Sequence, residues 1–126
     1  MPTLKVRRGR AIRTIVDEHS LVRLLRARPV THANIEGVHA MPKQGVASAF
    51  SFGVSLGLIR GALAALNIPF TTHDPARWMR VAGVSKSPDS ARQRAMQIFP
   101  EHTHLFMRKK DDGRADAALL AYLKII

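Results

Sequence analysis

The chain has 126 residues, of which 46% are apolar, 20 are Lys or Arg and 9 are Asp or Glu. A chain of this size builds one hydrophobic core and not two, so we expect a single domain over residues 1–126. The sequence has no Cys, which excludes disulfides, thiolate metal ligands and a cysteine nucleophile.

The formal net charge is +11, and 14 of the 20 basic residues are Arg. Such a charge attracts polyanions, and guanidinium groups match the oxygens of phosphate groups. Nucleic acid is therefore the leading class of partner. A solvated basic surface and a contact with an anionic membrane are the alternatives.

The most apolar stretch runs from Val54 to Phe70 and is interrupted by Arg60, Asn67 and Pro69. It is too short and too polar to span a bilayer, and no secretory apolar region follows the basic N-terminus. We expect a cytoplasmic protein without a membrane span.

The first third of the chain predicts a β-hairpin, a helix and a strand. Apolar and polar residues alternate over residues 3–16 around a turn at 7–10, which is typical of a hairpin. Asp17 can cap a helix that Pro29 ends. Residues 30–38 form a compact run that fits a buried strand, with Glu36 at its C-terminal end.

The remainder predicts a long helix, a second strand and three further helical segments. Residues 47–67 have helical spacing, and Gly53, Gly57 and Gly61 on one stripe suggest close packing against the sheet or against a second copy. The later segments are a strand at 68–73, a helical turn near Pro75, a helix at 89–99, a charged linker at 109–113 and a helix at 114–123. This alternation favours a three-layer α/β fold.

Carboxylates are the candidate chemical groups. Burying an unpaired carboxylate such as Glu36 at the end of an apolar strand costs free energy, and a bound metal ion would offset that cost. Asp112 and Asp116 share one helix face if the last helix begins one turn early. Carboxylate oxygens suit Mg²⁺, which can promote phosphodiester cleavage. The alternatives are that Glu36 pairs with a core Arg and that Asp111 and Asp112 cap the last helix.

Three stretches, residues 35–45, 48–53 and 109–117, together resemble the RuvC-like Holliday junction resolvases, especially their phage relatives. The segments 70–78 and 83–99 also fit, so the resemblance covers nearly the whole chain. It implies an RNase H-like fold, a mixed sheet flanked by helices, and a homodimer. It also implies symmetric cleavage of four-way DNA junctions with Mg²⁺ or Mn²⁺.

The resemblance assigns roles by position. Glu36 matches the glutamate at the end of the family's fourth strand. Asp116 matches the last acidic residue of the family's C-terminal helix, and Asp112 matches a further metal ligand. The family commonly spaces its last two ligands by three residues, whereas these two are four apart. Lys86 is expected near the scissile phosphate, and the expected DNA contacts are Lys43, Gln44, Phe50, Lys86, Arg92 and Arg94.

One part of the family pattern is absent. The family's first strand ends in an Asp, and this sequence opens at what matches the second strand, so the expected fold is N-terminally incomplete. A start placed too late, a decayed remnant and a strand supplied by another chain are the three explanations. The expected function is a junction endonuclease, with a relative that binds branched DNA without cutting as the alternative. A small structural protein of the ribosome or nucleoid would explain the charge but not Glu36.

Overall fold

The computed structural model describes residues 1–8, 11–37 and 42–123. The chain forms two compact units: Met1–Ala33 with His39–Phe70 is the first unit, and Asn34–Val38 with Thr71–Ile126 is the second unit. The elements are β1 (Thr3–Arg8), β2 (Ala11–Val16), α1 (Glu18–Arg26), β3 (Ala33–Glu36), α2 (Val46–Ala65), β4 (Phe70–His73), α3 (Pro75–Ala82), α4 (Ser90–Ile98), two 3₁₀ helices (Pro100–Leu105 and Lys109–Asp111) and α5 (Asp112–Tyr122). The prediction of a mixed α/β chain is confirmed.

The first unit opens with the predicted hairpin. β1 and β2 pair antiparallel in a register that runs from Thr3 opposite Val16 to Arg8 opposite Ala11. The predicted turn residues 9 and 10 lie outside the described part. Asp17 caps α1, because its carboxylate accepts the backbone N–H of Ser20 at 3.1 Å. The hairpin and the start of this helix are therefore confirmed.

Helix α2 lies where the sequence predicts the long helix, but the described residues bury few of its side chains. Leu63 is its buried residue, whereas Phe50 is 71% exposed. An apolar groove of about 750 Å³ lies between β2 and α2, with Ile15 and Leu58 in its walls. The prediction that the glycine stripe packs on the sheet is wrong for the described residues, because a Cβ added to Gly53, Gly57 or Gly61 would meet nothing within 4 Å.

Among the described helices, α2 is also long and apolar enough to cross a membrane by length and composition alone. Its 18-residue window has a mean hydropathy of 1.5 and is 6% buried within the chain. The apolar segment is longer than the 54–70 stretch judged from sequence, because the helix begins at Val46. That the chain makes no membrane contact stays a prediction.

The second unit has a dense core. Helices α3, α4 and α5 pack around Trp78 and Leu119, which are fully buried. The surrounding core residues are Ala82, Ala95, Phe106, Ala115 and Leu120. Helix α3 begins with Pro75 after its cap Asp74 and ends at Gly83, whose φ of 75° is left-handed.

The strands form two separate two-stranded sheets, β1–β2 and β3–β4, where the sequence predicts one mixed sheet. In the second sheet, the N–H of Ala33 donates to the carbonyl of Pro69 and the N–H of Gly37 to that of His73. Both bonds join residues that are separated by the same number of positions in the sequence. A constant separation of this kind is typical of parallel strands. In the part of the chain that the structure describes, no further strand joins the two pairs.

Two predicted boundaries need correction. The strand predicted at 30–38 is limited to Ala33–Glu36, within the stretch that pairs with β4. The linker predicted at 109–113 is a 3₁₀ helix and the first residues of α5. The Asp111 carboxylate orders this segment by accepting the N–H of Arg108 at 3.0 Å, so the last helix begins at Asp112 rather than at Arg114.

Candidate functional site

The site is built on the C-terminal end of β3. Glu36 is the last residue of the strand and is half-buried. The next residue, Gly37, holds the strand end against β4, because its N–H donates to the carbonyl of His73 at 2.7 Å. A Cβ on Gly37 would lie 3.0 Å from Cγ2 of Thr72 and 3.3 Å from the carbonyl oxygen of His73, so the strands approach closely at this glycine.

Asn34 ties the same strand to α5. Its Nδ2 donates to the carbonyl of Leu120 at 3.0 Å, and its Oδ1 lies 2.9 Å from Nε2 of the buried His73. Since Oδ1 can only accept, His73 must carry its proton on Nε2. Asn34 and Glu36 lie on one face of the strand, so this anchor fixes the backbone from which the Glu36 side chain extends.

Asp116 lies one helical turn before Leu120 on α5 and is half-buried. Burial raises the pKa of Asp116, and the negative charges of Glu36 and Asp112 raise it further. The three carboxylates predicted from sequence therefore interact electrostatically. A divalent cation would offset both the burial and the repulsion.

Asp112 is the first residue of α5, four positions before Asp116, so the early helix start on which their common face depends is confirmed. Its Oδ1 accepts Nε of Arg92 at 3.1 Å, and its side chain is 51% exposed. Asp111 is buried instead and is held by Arg108, whose hydrogen bond lowers the pKa of that carboxyl group. The two neighbours thus differ, since Asp111 orders the chain and Asp112 faces Arg92 and solvent.

The donor set has the chemistry that Mg²⁺ prefers, since it consists of carboxylate oxygens. Within residues 1–8, 11–37 and 42–123, no three His, Cys, Asp or Glu side chains converge closely enough to hold a metal ion. Asp112 would have to exchange Arg92 for the cation to join Glu36 and Asp116. Binding of Mg²⁺ or Mn²⁺ stays a prediction.

The predicted DNA contacts of the second unit fall into two groups. Lys86 is exposed in the loop after α3 and has no ion-pair partner in the described part of the chain. Arg92 is 11% exposed and also binds Asp89 and the carbonyls of Phe106 and Met107. Arg94 donates to the carbonyl of Ala82 at 2.8 Å and to Gln97. The two arginines have internal partners, whereas Lys86 faces solvent.

The predicted contacts of the first unit lie before and within α2. Lys43 is exposed, and Gln44 donates from Nε2 to the hydroxyl of Ser48 at 3.0 Å. Phe50 is exposed on the first turns of α2. These three residues belong to a different unit from the carboxylates.

Sequence patterns do not indicate the contact between Trp78 and Glu36. The indole N–H of Trp78 donates to Oε1 of Glu36 at 3.2 Å, across 42 positions of sequence. The Asn34–His73 hydrogen bond spans 39 positions. The available sequence signal for the first contact is a Trp in a short amphipathic helix, since a buried indole N–H requires an acceptor.

No protein-family model matches this chain, and the search of curated proteins finds no significant match.

Proposed function

We propose that this chain is a RuvC-like, RNase H-like nuclease subunit that binds four-way DNA junctions and cleaves them by Mg²⁺-dependent phosphodiester hydrolysis. The observation that carries the proposal is that the charges of Glu36 and Asp112 raise the pKa of the half-buried Asp116, in a chain of net charge +11. A basic protein gains nothing in DNA affinity from carboxylates placed near one another, because they repel phosphates. A cation-dependent reaction would use these carboxylates as ligands of the cation.

In this proposal the three carboxylates would hold the cation. When bound, the cation supplies Lewis-acid stabilisation of the charge that develops on the phosphate. Glu36 is held in place by the strand pairing and Asp116 by its helix, while Lys86 neutralises phosphate charge from an exposed loop. Lys43 and Phe50 would contact the junction from the first unit.

The exposed apolar helix α2 supports the proposal of a homodimer, since a second copy would remove its side chains from water.

One observation favours the second candidate function, which is junction binding without cleavage. Asp112 already pairs with Arg92, and no three acidic or His side chains among the described residues converge on one point. In this case the basic residues retain their role in DNA binding, and the carboxylates are remnants of a metal site.

The deciding experiment is Mg²⁺-dependent nicking of a synthetic four-way junction, beside a linear duplex of the same sequence. Glu36→Gln and Asp116→Asn are compared with Glu101→Gln, which changes an exposed acid in the same unit. Cleavage of the junction that is lost in the first two variants and kept in the third supports the nuclease. Tight junction binding without cleavage supports the second candidate, and absence of both refutes the proposal.

A further inference from the structure

Trp78 makes an unusual contact for a core aromatic residue. It is the single tryptophan of the sequence and is 1% exposed. A buried indole N–H needs an acceptor, and most core tryptophans find a backbone carbonyl or a neutral side chain. Here the acceptor is a carboxylate oxygen, Oε1 of Glu36, at 3.2 Å.

This bond selects one orientation of the Glu36 carboxylate. Among the described residues, the group that donates to Glu36 is the indole N–H of Trp78, which holds Oε1. A bond to an ionised acceptor is stronger than one between neutral groups. Because Trp78 is locked in the core of the second unit, it cannot follow the carboxylate if the carboxylate rotates.

The backbone beneath Glu36 is held independently of Trp78. Gly37 bonds to His73 of β4, and Asn34 bonds to Leu120 of α5. These bonds place the Cα of Glu36 but leave its side-chain torsions free. The indole is the group that the structure supplies to restrict those torsions.

We propose that Trp78 is a positioning residue for Glu36, and that its indole reports the binding of a divalent cation to Glu36. This inference rests on the proposed function, since it takes Glu36 as a metal ligand. Groups that orient a metal ligand typically change metal affinity by about 10- to 100-fold when they are removed. A cation on Oε2 withdraws charge from the oxygen that accepts the indole N–H, so the emission of Trp78 changes.

The first test is a fluorescence titration of the wild-type chain with Mg²⁺ and with Mn²⁺ at constant ionic strength. With one tryptophan in the sequence, all indole emission comes from Trp78. A saturable change is expected in the wild type and in Glu101→Gln, and none in Glu36→Gln. An equal change in Glu36→Gln would overturn the inference.

The second test uses Trp78→Phe, which keeps an aromatic ring and removes the N–H. Free Mn²⁺ is counted by its electron paramagnetic resonance signal, and folding is checked by circular dichroism. We expect Mn²⁺ affinity to fall by about tenfold in a folded variant. Unchanged affinity in the folded variant would overturn the inference. If Trp78→Phe does not fold, the comparison of the wild type with Glu36→Gln decides alone.

The two proposals fail in distinguishable ways. If the wild type binds no Mn²⁺ in the resonance assay, the metal-dependent function fails and the inference fails with it. If Mn²⁺ binds and Glu36→Gln abolishes binding, while the wild-type indole emission does not respond, the metal site stands and the role of Trp78 is refuted.

Discussion

The two units bury their longest helices to very different extents. In the second unit, α5 buries Ala115, Leu119 and Leu120 in a core that also encloses Trp78. In the first unit, α2 is more apolar and nearly twice as long, yet it buries Leu63 and exposes Phe50 and Phe52. The second unit is therefore packed by its own residues, whereas most apolar side chains of α2 are left uncovered by the described residues.

The carboxylates follow the same division. Glu36, Asp112 and Asp116 all belong to the second unit, where packed elements hold the strand and helix that carry them. Catalytic and binding groups require such rigid support, because a shift of about 1 Å is costly. The first unit instead exposes basic and apolar side chains, such as Lys43 and Phe50.

The largest predicted effect compares the same change in the two units. Leu119→Ala removes a fully buried side chain from the second unit and should lower the free energy of unfolding by about 3–5 kcal/mol. Leu24→Ala on α1, where the side chain is 60% exposed, should change it by less than about 0.5 kcal/mol. Urea denaturation measures both values. Equal effects would contradict the contrast in packing.

Two glycine-to-alanine substitutions should change the free energy of unfolding in opposite directions. Gly83 ends α3 at a φ of 75°, so Gly83→Ala should cost about 1–2 kcal/mol. Gly57 lies inside α2 with open space around it, so Gly57→Ala should stabilise the monomer by about 0.5–1 kcal/mol. The free energies of unfolding are measured at low protein concentration.

The same Gly57→Ala variant tests what covers α2. If a second copy packs on the glycine stripe, the added methyl group weakens the dimer although it stabilises the helix. Sedimentation over a range of concentrations would then show a higher dissociation constant than for the wild type. An unchanged constant would place the stripe outside the dimer interface.

Local signals in the sequence predict the elements well. Asp17 marks the start of α1, and the alternation over residues 3–16 predicts the hairpin. Both signals are local, because helix capping and the alternation of side chains along a strand depend on residues a few positions apart. The positions of Glu36 at a strand end and of Asp116 on a helix are likewise predicted. Each of these features depends on residues close in sequence.

Long-range contacts could not be predicted in the same way. Arg92 has the sequence features of a phosphate contact, yet the structure surrounds it with Asp89, Asp112 and two carbonyl oxygens. Asp89 is an i, i+3 neighbour that the sequence shows, but Asp112 and the two carbonyl oxygens lie 14 to 20 positions away, so the sequence does not show that they enclose this arginine while Lys86 stays exposed. The bond from Trp78 to Glu36 is similarly invisible, because residue types do not show which acceptor a buried indole finds.

Asp116→Asn tests whether the second unit stores electrostatic strain. The folded-state pKa of Asp116 is raised above the ordinary 3.8, so its charge destabilises the fold at neutral pH. As the pH falls through the folded-state pKa, the carboxylate is protonated first in the folded state and the penalty disappears. The variant should therefore have a higher Tm than the wild type at pH 7, and the difference should shrink towards pH 4.

Mg²⁺ should produce a related shift in the wild type. A cation near Asp116 offsets the same repulsion, so it should raise the Tm of the wild type more than that of Asp116→Asn.

Glu101→Gln serves as the control for the pH experiment, because Glu101 is exposed and its substitution should leave the pH profile of the Tm unchanged. A Tm advantage for Asp116→Asn that persists unchanged at pH 4 would contradict the electrostatic explanation.

The smallest predicted effect asks whether both units contact DNA. Each Lys that neutralises one phosphate releases counterions, and its loss should reduce the slope of log K against log salt by about 0.9. Lys86→Ala in the second unit and Lys43→Ala in the first should each show this change for a four-way junction, as measured by fluorescence anisotropy at several salt concentrations. Both side chains are exposed, so neither substitution should alter stability, and a lower affinity with a shallower slope reports a lost phosphate contact. If only Lys86→Ala changes the slope, Lys86 contacts a phosphate and Lys43 does not, which would contradict the DNA contact proposed for Lys43 in the first unit.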